Sequence, residues 1–553
     1  MGVTIDFMVS DLKVTDSLLG LPVVVLFIAP LAASLGFMLT GVVDAAGWAA
    51  LIRHPQLWGG LALSVLTAMA ATLIAVFLAL LIGAAFFEKG RAAKAAHGLA
   101  AMLAVPHLAF AIGLGFLVMP SGLLARLLAP LMGWASPPAW ITVHDPYGLA
   151  LIVALACKET GFLLFNLFAI LSRADVAQAL RGQRAAAQAL GHGRLSIWLR
   201  LLVPQLWPNL KWPVAIVFIY AATVVDMALV LGPTQPPTLA LVVWSDINSA
   251  NVADNARGAA GAAFLALVAA ACLALAEIMQ RALRPTIHGW MAQGPSLRQF
   301  PFWLGLAKWR GLQVIFLAVA ASLLLLSLAP LWPFPTLMPE QWNAAAWTTA
   351  FGHSSPVWLS LALALAASLS SLAVLTLWFE SVAPHWDGPL MFLAMTALAI
   401  PALLLGLGQY RLLLRLDLTG TLIGLYLVHL MPVAAYMFIV LKGPYRAFDP
   451  RYASVSAGLA QSRLRFLVLI KWPLLKAPLL SSLAIGFAVS FGQYVPAQLA
   501  AAGRASTLPM EAVALSSGAN RPLTAAFALL LMAPPLLAFL AAGFFGRDRW
   551  RAA

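Results

Sequence analysis

Hydrophobic residues in this chain form long runs, and the short polar stretches between the runs hold most of the charged residues. Each run is about 20 residues long, enough to cross the hydrocarbon core of a bilayer as a helix. The pattern therefore predicts an all-α polytopic membrane protein with twelve transmembrane helices. The predicted spans lie near residues 19–40, 58–87, 98–119, 147–171, 211–232, 258–282, 312–332, 356–379, 389–410, 419–441, 479–501 and 522–545.

The polar stretches repeat at a fixed distance along the chain. Pro473 follows Pro204 by 269 residues, and Lys442 follows Arg173 by the same number. Twice this distance covers nearly all of the 553 residues, which indicates an internal duplication. We expect two homologous halves of six helices each and a linker between them, with the bounds 1–282, 283–311 and 312–553.

Composition and charge agree with a membrane protein. The chain is 62% hydrophobic and 9% charged, and its formal net charge is +14. With both termini in the cytoplasm, 25 Lys and Arg residues lie on the cytoplasmic side and 7 on the outer side. This distribution follows the positive-inside rule, so the net positive charge sets orientation in a lipid bilayer and does not indicate a nucleic-acid partner.

The linker at 283–311 falls on the cytoplasmic side in this orientation, because an even number of spans precedes it. Its proline and glycine residues predict a non-helical or broken segment. They are Pro285, Gly289, Gly294, Pro295 and Pro301.

Each half contains one long basic loop after its fourth predicted span, at residues 172–211 and 442–478. In the first loop a run of good helix formers ends at Gly191 and Gly193. A second short helix is then expected from Arg194 up to Pro204. Arginine is costly in hydrocarbon, so we expect both loops to lie in water at a membrane face.

These two loops resemble the EAA loop of permease subunits in binding-protein-dependent ABC importers. The family pattern is Glu-Ala-Ala, three residues, Gly, and a Pro thirteen positions after that Gly. The leading Glu is absent here, and Val203 replaces the usual Leu before the proline. The positions that correspond to the motif are Ala185, Ala186, Ala187, Leu190, Gly191 and Pro204 in the first loop, and Ser454, Val455, Ser456, Leu459, Ala460 and Pro473 in the second.

The resemblance covers essentially the whole chain and is closest to fused two-copy permeases of the ferric-iron and thiamine importer type. It implies the ABC importer permease fold, in the inner membrane of a bacterium. It also implies that a separate ATPase dimer docks on the two loops, and that a periplasmic binding protein delivers a small solute. The transported solute would then be thiamine-like or another cation. A membrane-surface amphipathic helix is the alternative interpretation of each loop.

Motifs for chemistry are absent from the sequence. There is no G-x-x-x-x-G-K-[ST] phosphate-binding loop, and the chain has no Gly-Lys dipeptide at all. No spacing of Cys and His fits a metal site, and no catalytic cluster is recognisable. We therefore expect a transport subunit that is not an enzyme and binds no metal or cofactor itself, with ATP bound by the partner subunit.

Several polar residues fall inside predicted spans and are candidates for the translocation pathway, because polar groups at that depth face a cavity or a partner. We expect Lys158 to pair with Asp226 while Glu159 faces the pathway, or the reverse; a purely structural ion pair is the alternative. Gln493 stands where related permeases often have an acidic residue. His429 either lines the path or is a buried histidine with its hydrogen bonds satisfied.

A twelve-helix secondary transporter is the rival interpretation, since such proteins are also built from repeats and bind ions near the bilayer midplane. The ionisable residues within the spans would then form an ion relay. That interpretation gives no reason for a basic helix–break–helix loop after the fourth span of each half. The sequence therefore favours the ABC permease.

Overall fold

The computed structural model describes residues 12–88, 92–293, 303–459 and 461–546. Regular structure in these ranges is helical, without a strand, apart from one isolated bridge between Thr234 and Pro237. The helices of the first sequence half are α1 Leu12–Val43, α2 Ala45–Ile52, α3 Leu57–Glu88, α4 Ala92–Ala104, α5 His107–Val118, α6 Leu123–Met132, α7 Leu149–Leu171, α8 Ala174–Ala189, α9 Arg194–Ser196, α10 Val203–Thr223, α11 Asp226–Leu231, α12 Leu239–Ile247 and α13 Val252–Gln293.

The second sequence half repeats this order from α14 onward. Its helices are α14 Trp303–Ser327, α15 Ala345–Gly352, α16 Ser355–Ser381, α17 Asp387–Ala399, α18 Ala402–Arg415, α19 Leu422–Arg446, α20 Arg451–Gly458, α21 Arg463–Phe466, α22 Trp472–Leu474, α23 Lys476–Phe491, α24 Val495–Ala501, α25 Leu508–Ser516 and α26 Arg521–Phe545. A π-helical turn stands before α10, at Ile197–Leu202, and another before α22, at Leu467–Lys471.

The described ranges contain nine single helices that are long and apolar enough to cross a membrane, and up to eleven if two bent pairs each count as one span. The polytopic helical fold is therefore confirmed, whereas the count of twelve is not. The run at 211–232 is not among the candidates. It forms the end of α10 and the short α11, and Pro208, Lys211 and Pro213 lie within α10.

Four of the predicted spans are broken, at equivalent places in the two halves. The span at 98–119 breaks at Pro106, and the span at 389–410 bends by 104° next to Pro401. Two others are interrupted, after Thr223 and after Phe491. Non-helical backbone at membrane depth occurs only where protein or a cavity surrounds it, so these breaks are expected near a functional site.

The chain divides into two compact units that differ from the predicted sequence halves. Unit I consists of Leu39–Ala350 and Leu515–Leu529, and unit II consists of Met1–Met38, Phe351–Ala514 and Leu530–Ala553. Most of α1 therefore belongs with second-half helices, and α14 belongs with first-half helices. The opening helix of each sequence half is exchanged into the unit formed by the other half.

Within each unit the same three helices form the centre. In unit I, α3 packs against α7 and α10; in unit II, α16 packs against α19 and α23. A serine in α3 and one in α16, the helices of the second predicted span in each half, each accept a hydrogen bond from a later backbone N–H, at 2.8 Å in both cases. The two contacts are Leu239 N to Ser64 Oγ and Leu508 N to Ser360 Oγ. The repeated contact supports the duplication.

The exchanged helices pack on glycines, as is common between membrane helices, where small residues permit close approach. In unit I, Ser322 Oγ of α14 donates to the carbonyl of Gly113, and a Cβ at Gly113 would lie 2.6 Å from Val319 Cγ1. In unit II, a Cβ at Gly408 would collide with the backbone of Ser34 in α1. Glycine is therefore required at both positions for the exchanged helix to fit.

The linker at 283–311 is predicted to be non-helical or broken, and its two described ends are helical instead. Helix α13 continues through Pro285 and Gly289 to Gln293, and α14 begins at Trp303. A single proline removes one hydrogen bond from a helix, and neighbouring groups can compensate for it. Residues 294–302, with the other linker prolines and Gly294, lie outside the described residues.

Candidate functional site: two paired loops and an intramembrane polar cluster

The first loop turns sharply at the end of α8. Gly191 has a φ of +84°, in the left-handed region, while Gly193 is extended with a φ of −68°. His192 N–H donates to the carbonyl of Ala187 and Gly191 N–H to that of Gln188. These two bonds form a Schellman motif, which satisfies the last carbonyls of the helix.

The second loop closes with the same outer bond. Gln461 N–H donates to the carbonyl of Ser456, at 3.2 Å, and these residues follow His192 and Ala187 by 269 positions. Ala460 lies outside the described residues. Both loops thus turn back at the same place in the repeat, immediately after an exposed leucine, Leu190 or Leu459.

Each loop then enters its π-helical turn just before the repeated proline. A proline has no N–H to donate, and its ring clashes with the carbonyl four residues earlier. The backbone hydrogen bonds before each proline therefore span five residues instead of four. Val203 N–H donates to the carbonyl of Trp198, and Trp472 N–H donates to that of Leu467. Pro204 and Pro473 therefore fix the same local geometry in both loops.

An arginine and an aspartate form an ion pair at the start of the first helix in each loop. Arg173 Nη2 lies 2.9 Å from Asp175 Oδ2, and Arg451 Nη2 lies 2.6 Å from Asp449 Oδ2. The hydrogen bond from the arginine side chain lowers the pKa of the Asp175 carboxyl and, in the other loop, of the Asp449 carboxyl. Both carboxylates therefore stay ionised at neutral pH, and a negative charge favours a helix N-terminus.

The predicted motif residues are mostly exposed. Leu190 is 79% exposed, Leu459 68% and Val455 64%, each within the helix–turn part of a loop that also carries many basic residues. Ala185, Ala186, Gly191, Ser454 and Pro473 are also exposed, Ala187 and Pro204 are half-buried, and Ser456 is buried. Large apolar side chains that remain exposed in such a loop indicate a surface for another protein.

A groove of about 360 Å³ follows this apolar surface in the second loop. Tyr452, Val455 and Leu459 line it, together with Ile470 from the π-helical turn. Its remaining lining residues are Asp449, Arg451, Ser456 and Gln461. The groove is lined by both apolar and polar side chains, as protein interfaces are.

The predicted pairing of Lys158 with Asp226 is wrong. Lys158 Nζ instead donates to the carbonyl oxygens of Met102, at 2.9 Å, and Val105, at 2.5 Å. The helical partner of the Met102 carbonyl would be the N–H of residue 106, which is a proline and has none. The lysine therefore supplies the donor that is missing at the break between α4 and α5.

Glu159 and Asp226 are left as the acidic groups of unit I in this region. Glu159 Oε1 lies 3.1 Å from His107 Nε2, and the His107 ring lies 4.9 Å from the ring of Tyr220. Asp226 begins α11, directly after the break that ends α10, and interacts electrostatically with His107. His107 is not among the residues predicted from the sequence; the proline before it, Pro106, has an equivalent in Pro401 before α18 and marks the position.

Neutral polar groups lie in the corresponding part of unit II. His429 Nδ1 is 2.8 Å from Ser490 Oγ, and Gln493 Nε2 donates to the carbonyl of Val428 at 3.0 Å. In the part of the chain that the structure describes, His429 Nε2 and Gln493 Oε1 have no hydrogen-bond partner. Positions equivalent to Glu159 and Asp226 are Val428 and Val495, so the acidic pair belongs to unit I alone.

Comparison with known proteins gives one informative match. No protein-family model matches the chain. The chain is 31% identical, over 514 residues, to the inner membrane ABC transporter permease protein YnjC of Escherichia coli (strain K12), and the alignment covers 92% of each sequence. Identity at this level over nearly the whole length, in a chain with these helices, shows that the protein belongs to the family of inner-membrane ABC transporter permeases.

Proposed function

We propose that this chain is a fused permease subunit of an ATP-driven importer, and that both of its loops, at 172–211 and 442–478, act as coupling loops in the cytoplasm. The supporting observation is their repeated geometry. In each, a helix closes by the same hydrogen bond after an exposed leucine and is followed by a π-helical turn at a proline. A chance surface feature would not recur at the same distance in two copies.

The partner on these loops is a separate ATPase dimer, which holds the ATP. The chain itself has no phosphate-binding loop and acts as a transport subunit rather than as an enzyme. Leu190 and Leu459 are equivalent in the repeat, so one would contact each ATPase subunit. The groove beside Leu459, with Tyr452 and Val455, would receive apolar side chains of the ATPase.

On the outer side, a periplasmic binding protein delivers the solute. Each unit has a cavity there in the loop that precedes α12 or α25: about 290 Å³ in unit I and about 490 Å³ in unit II. The first is lined in part by His54, His144 and Asp246, and the second by Gln498, Arg504 and Glu511.

The transported solute is a cation, of which thiamine is an example. The positive charge of Lys158 is surrounded by backbone carbonyls, so it does not oppose a cation in the pathway. Glu159, Asp226 and the His107 that bonds to Glu159 are then the groups that a cationic solute meets. In unit II the candidate pathway residues are His429 and Gln493, which offer hydrogen-bonding atoms without a partner in the described residues.

Co-purification tests this proposal. The tagged chain, expressed together with its partner ATPase, should retain the ATPase, and Leu190→Asp or Leu459→Asp should release it because a buried charge at the contact is unfavourable. Val252→Asp is the matched control, since Val252 is 79% exposed and lies far along the chain from either loop. Solute uptake driven by an ion gradient without any ATPase would contradict the proposal and support a secondary transporter.

A further inference from the structure

A carboxylate at the end of α3 holds both helices of the first loop. Glu88 is the last residue of α3. Its Oε2 atom lies 2.6 Å from Arg184 Nη2 and 4.0 Å from Arg194 Nε. Arg184 precedes the Gly191 turn and Arg194 follows it, so this one carboxylate contacts the loop on both sides of its turn.

A second glutamate contacts the part of the second loop that follows its turn, and the backbone carbonyl of this residue also accepts a hydrogen bond from Arg463 Nη2. Glu380 is the penultimate residue of α16. Its Oε1 atom lies 2.5 Å from Lys471 Nζ and accepts a hydrogen bond from Tyr445 Oη at 2.8 Å, while Oε2 lies 3.5 Å from Arg463 Nη2. The side chains of Glu380 and Lys471 are only 15% and 13% exposed. Water therefore screens this pair less than an ion pair on an open surface.

The two carboxylates occupy similar places in the repeat, at the C-terminal end of α3 and of α16. Glu88 ends the sequence Phe86-Phe87-Glu88, and Glu380 ends Trp378-Phe379-Glu380. Their shared partner is the arginine that begins the second helix of the loop, Arg194 or Arg463, and these two arginines are 269 residues apart. The same acid–arginine contact has thus been kept in both copies of an otherwise diverged sequence.

Helix stability does not account for a glutamate at these positions. The C-terminal end of a helix carries a partial negative charge, which disfavours a carboxylate. Aromatic contacts reinforce the link to the loop: the rings of Phe87 and Trp198 lie 5.9 Å apart, and Lys471 Nζ lies 4.4 Å from the centre of the Tyr445 ring. The carboxylates therefore connect elements, and their cationic partners offset the helix-end penalty.

We propose that Glu88 and Glu380 are positioning residues that tie the two coupling loops to α3 and α16. A displacement of a loop by the ATPase is then passed to a membrane-spanning helix. Helix α3 packs along α7, which carries Lys158 and Glu159, so the movement reaches the polar cluster of unit I. The resembling family has Glu at the position of Ala185. In this chain the residue directly before it, Arg184, makes the contact with Glu88. The inference rests on the proposed function.

Hydrogen exchange on the purified chain, without any ATPase, tests the tie itself. In Glu88→Gln, backbone amides at 184–194 should exchange at least about fivefold faster than in the wild type, while those of the second loop stay unchanged. Glu380→Gln should give the reverse pattern. Glu277→Gln is the control, because Glu277 pairs with Arg281 within one helix. Unchanged exchange in both variants would overturn the proposal.

The ratio of solute transported to ATP hydrolysed tests transmission. Both glutamine variants should hydrolyse ATP at near the wild-type rate and transport at least about fivefold less per ATP, since the loops move without their helices. Glu88→Arg combined with Arg184→Glu should restore the ratio. An unchanged ratio would refute transmission. If no ATPase binds the wild-type chain, the proposed function is refuted. The hydrogen-exchange measurement, which needs no ATPase, would still decide whether the glutamates hold the loops in place.

Discussion

The ammonium group of Lys158 lies against two backbone carbonyls, at the place where Pro106 interrupts a helix. This contact explains how a lysine that is 4% exposed can occur in an apolar span. The sequence identifies Lys158 as unusual because a charge inside a hydrophobic run is costly. It cannot identify the partner, since a broken helix offers carbonyl acceptors that no charge pattern reveals.

Lys158→Met should therefore destabilise the protein whether or not Asp226 is present. The change leaves the Met102 and Val105 carbonyls without a donor, at a cost of about 2–5 kcal/mol for two hydrogen bonds from a charged group. Thermal unfolding in detergent measures the loss. Adding Asp226→Leu should restore nothing; a recovery of stability in the double variant would show that the two side chains pair.

Gly191 is the residue at which backbone conformation matters most in the first loop. No atom within 4 Å would meet a Cβ there, so only the positive φ resists substitution. Gly191→Val should cost about 1–3 kcal/mol in the closed turn and abolish ATPase stimulation, because a β-branched residue resists that φ. Gly191→Asn should be mild, since asparagine tolerates left-handed backbone. Gly193→Ala is the control, because Gly193 has a negative φ. An equal loss of stability and of ATPase stimulation in Gly193→Ala would show that the positive φ of Gly191 is not the cause.

At the scale of elements, apolar runs locate most helices because a hydrophobic run of sufficient length has few alternatives to a membrane helix. They do not locate the breaks, since a proline inside a run can kink a helix, end it or begin another. The fixed distance of 269 residues also has a limit. Glu88 and Glu380 are 292 residues apart, because the segment between α5 and α7 is longer than its counterpart between α18 and α19. Searching the sequence for residues 269 positions apart therefore does not pair the two glutamates.

Arg126, in that longer segment, joins α6 to the stretch after α14. It is 3% exposed and donates to the carbonyls of Trp332, Pro333, Thr336 and Ser121, at 2.7–3.0 Å. Arg126→Lys keeps the charge but loses the planar fork, so it should lower stability by about 2–4 kcal/mol. Thermal unfolding measures the change, and exposed Arg53→Lys is the control. A melting temperature equal to that of the wild type would show that a point charge suffices.

At the scale of the whole molecule, the sequence indicates the duplication. It does not indicate that α1 and α14 each pack in the unit formed mainly by the other half. Helices α1 and α14 are apolar on all faces over most of their length, so their sequences carry no sign of which helices they pack against. The exchange depends on close contacts at Gly113 and Gly408, and a glycine in an apolar run is not distinctive in sequence alone. Its consequence is that each compact unit contains parts of both sequence halves, so neither half is expected to fold completely without the other.

Orientation in the membrane follows from the distribution of basic residues and can be measured directly. In a variant with Cys157 and Cys272 replaced by alanine, single cysteines at Leu190 and Leu459 should not react with a membrane-impermeant thiol reagent in intact cells. A cysteine at Ile141, which is 69% exposed and lies between α6 and α7, should react. Burial cannot explain a lack of reaction at the two leucines. Leu190 is 79% exposed and Leu459 68% exposed, compared with 69% for Ile141. After the cells are permeabilised, all three should react. Labelling of Leu190→Cys or Leu459→Cys from outside would show that the proposed orientation is wrong. The loops would then lie on the outer side, where no ATP is available for a coupled ATPase.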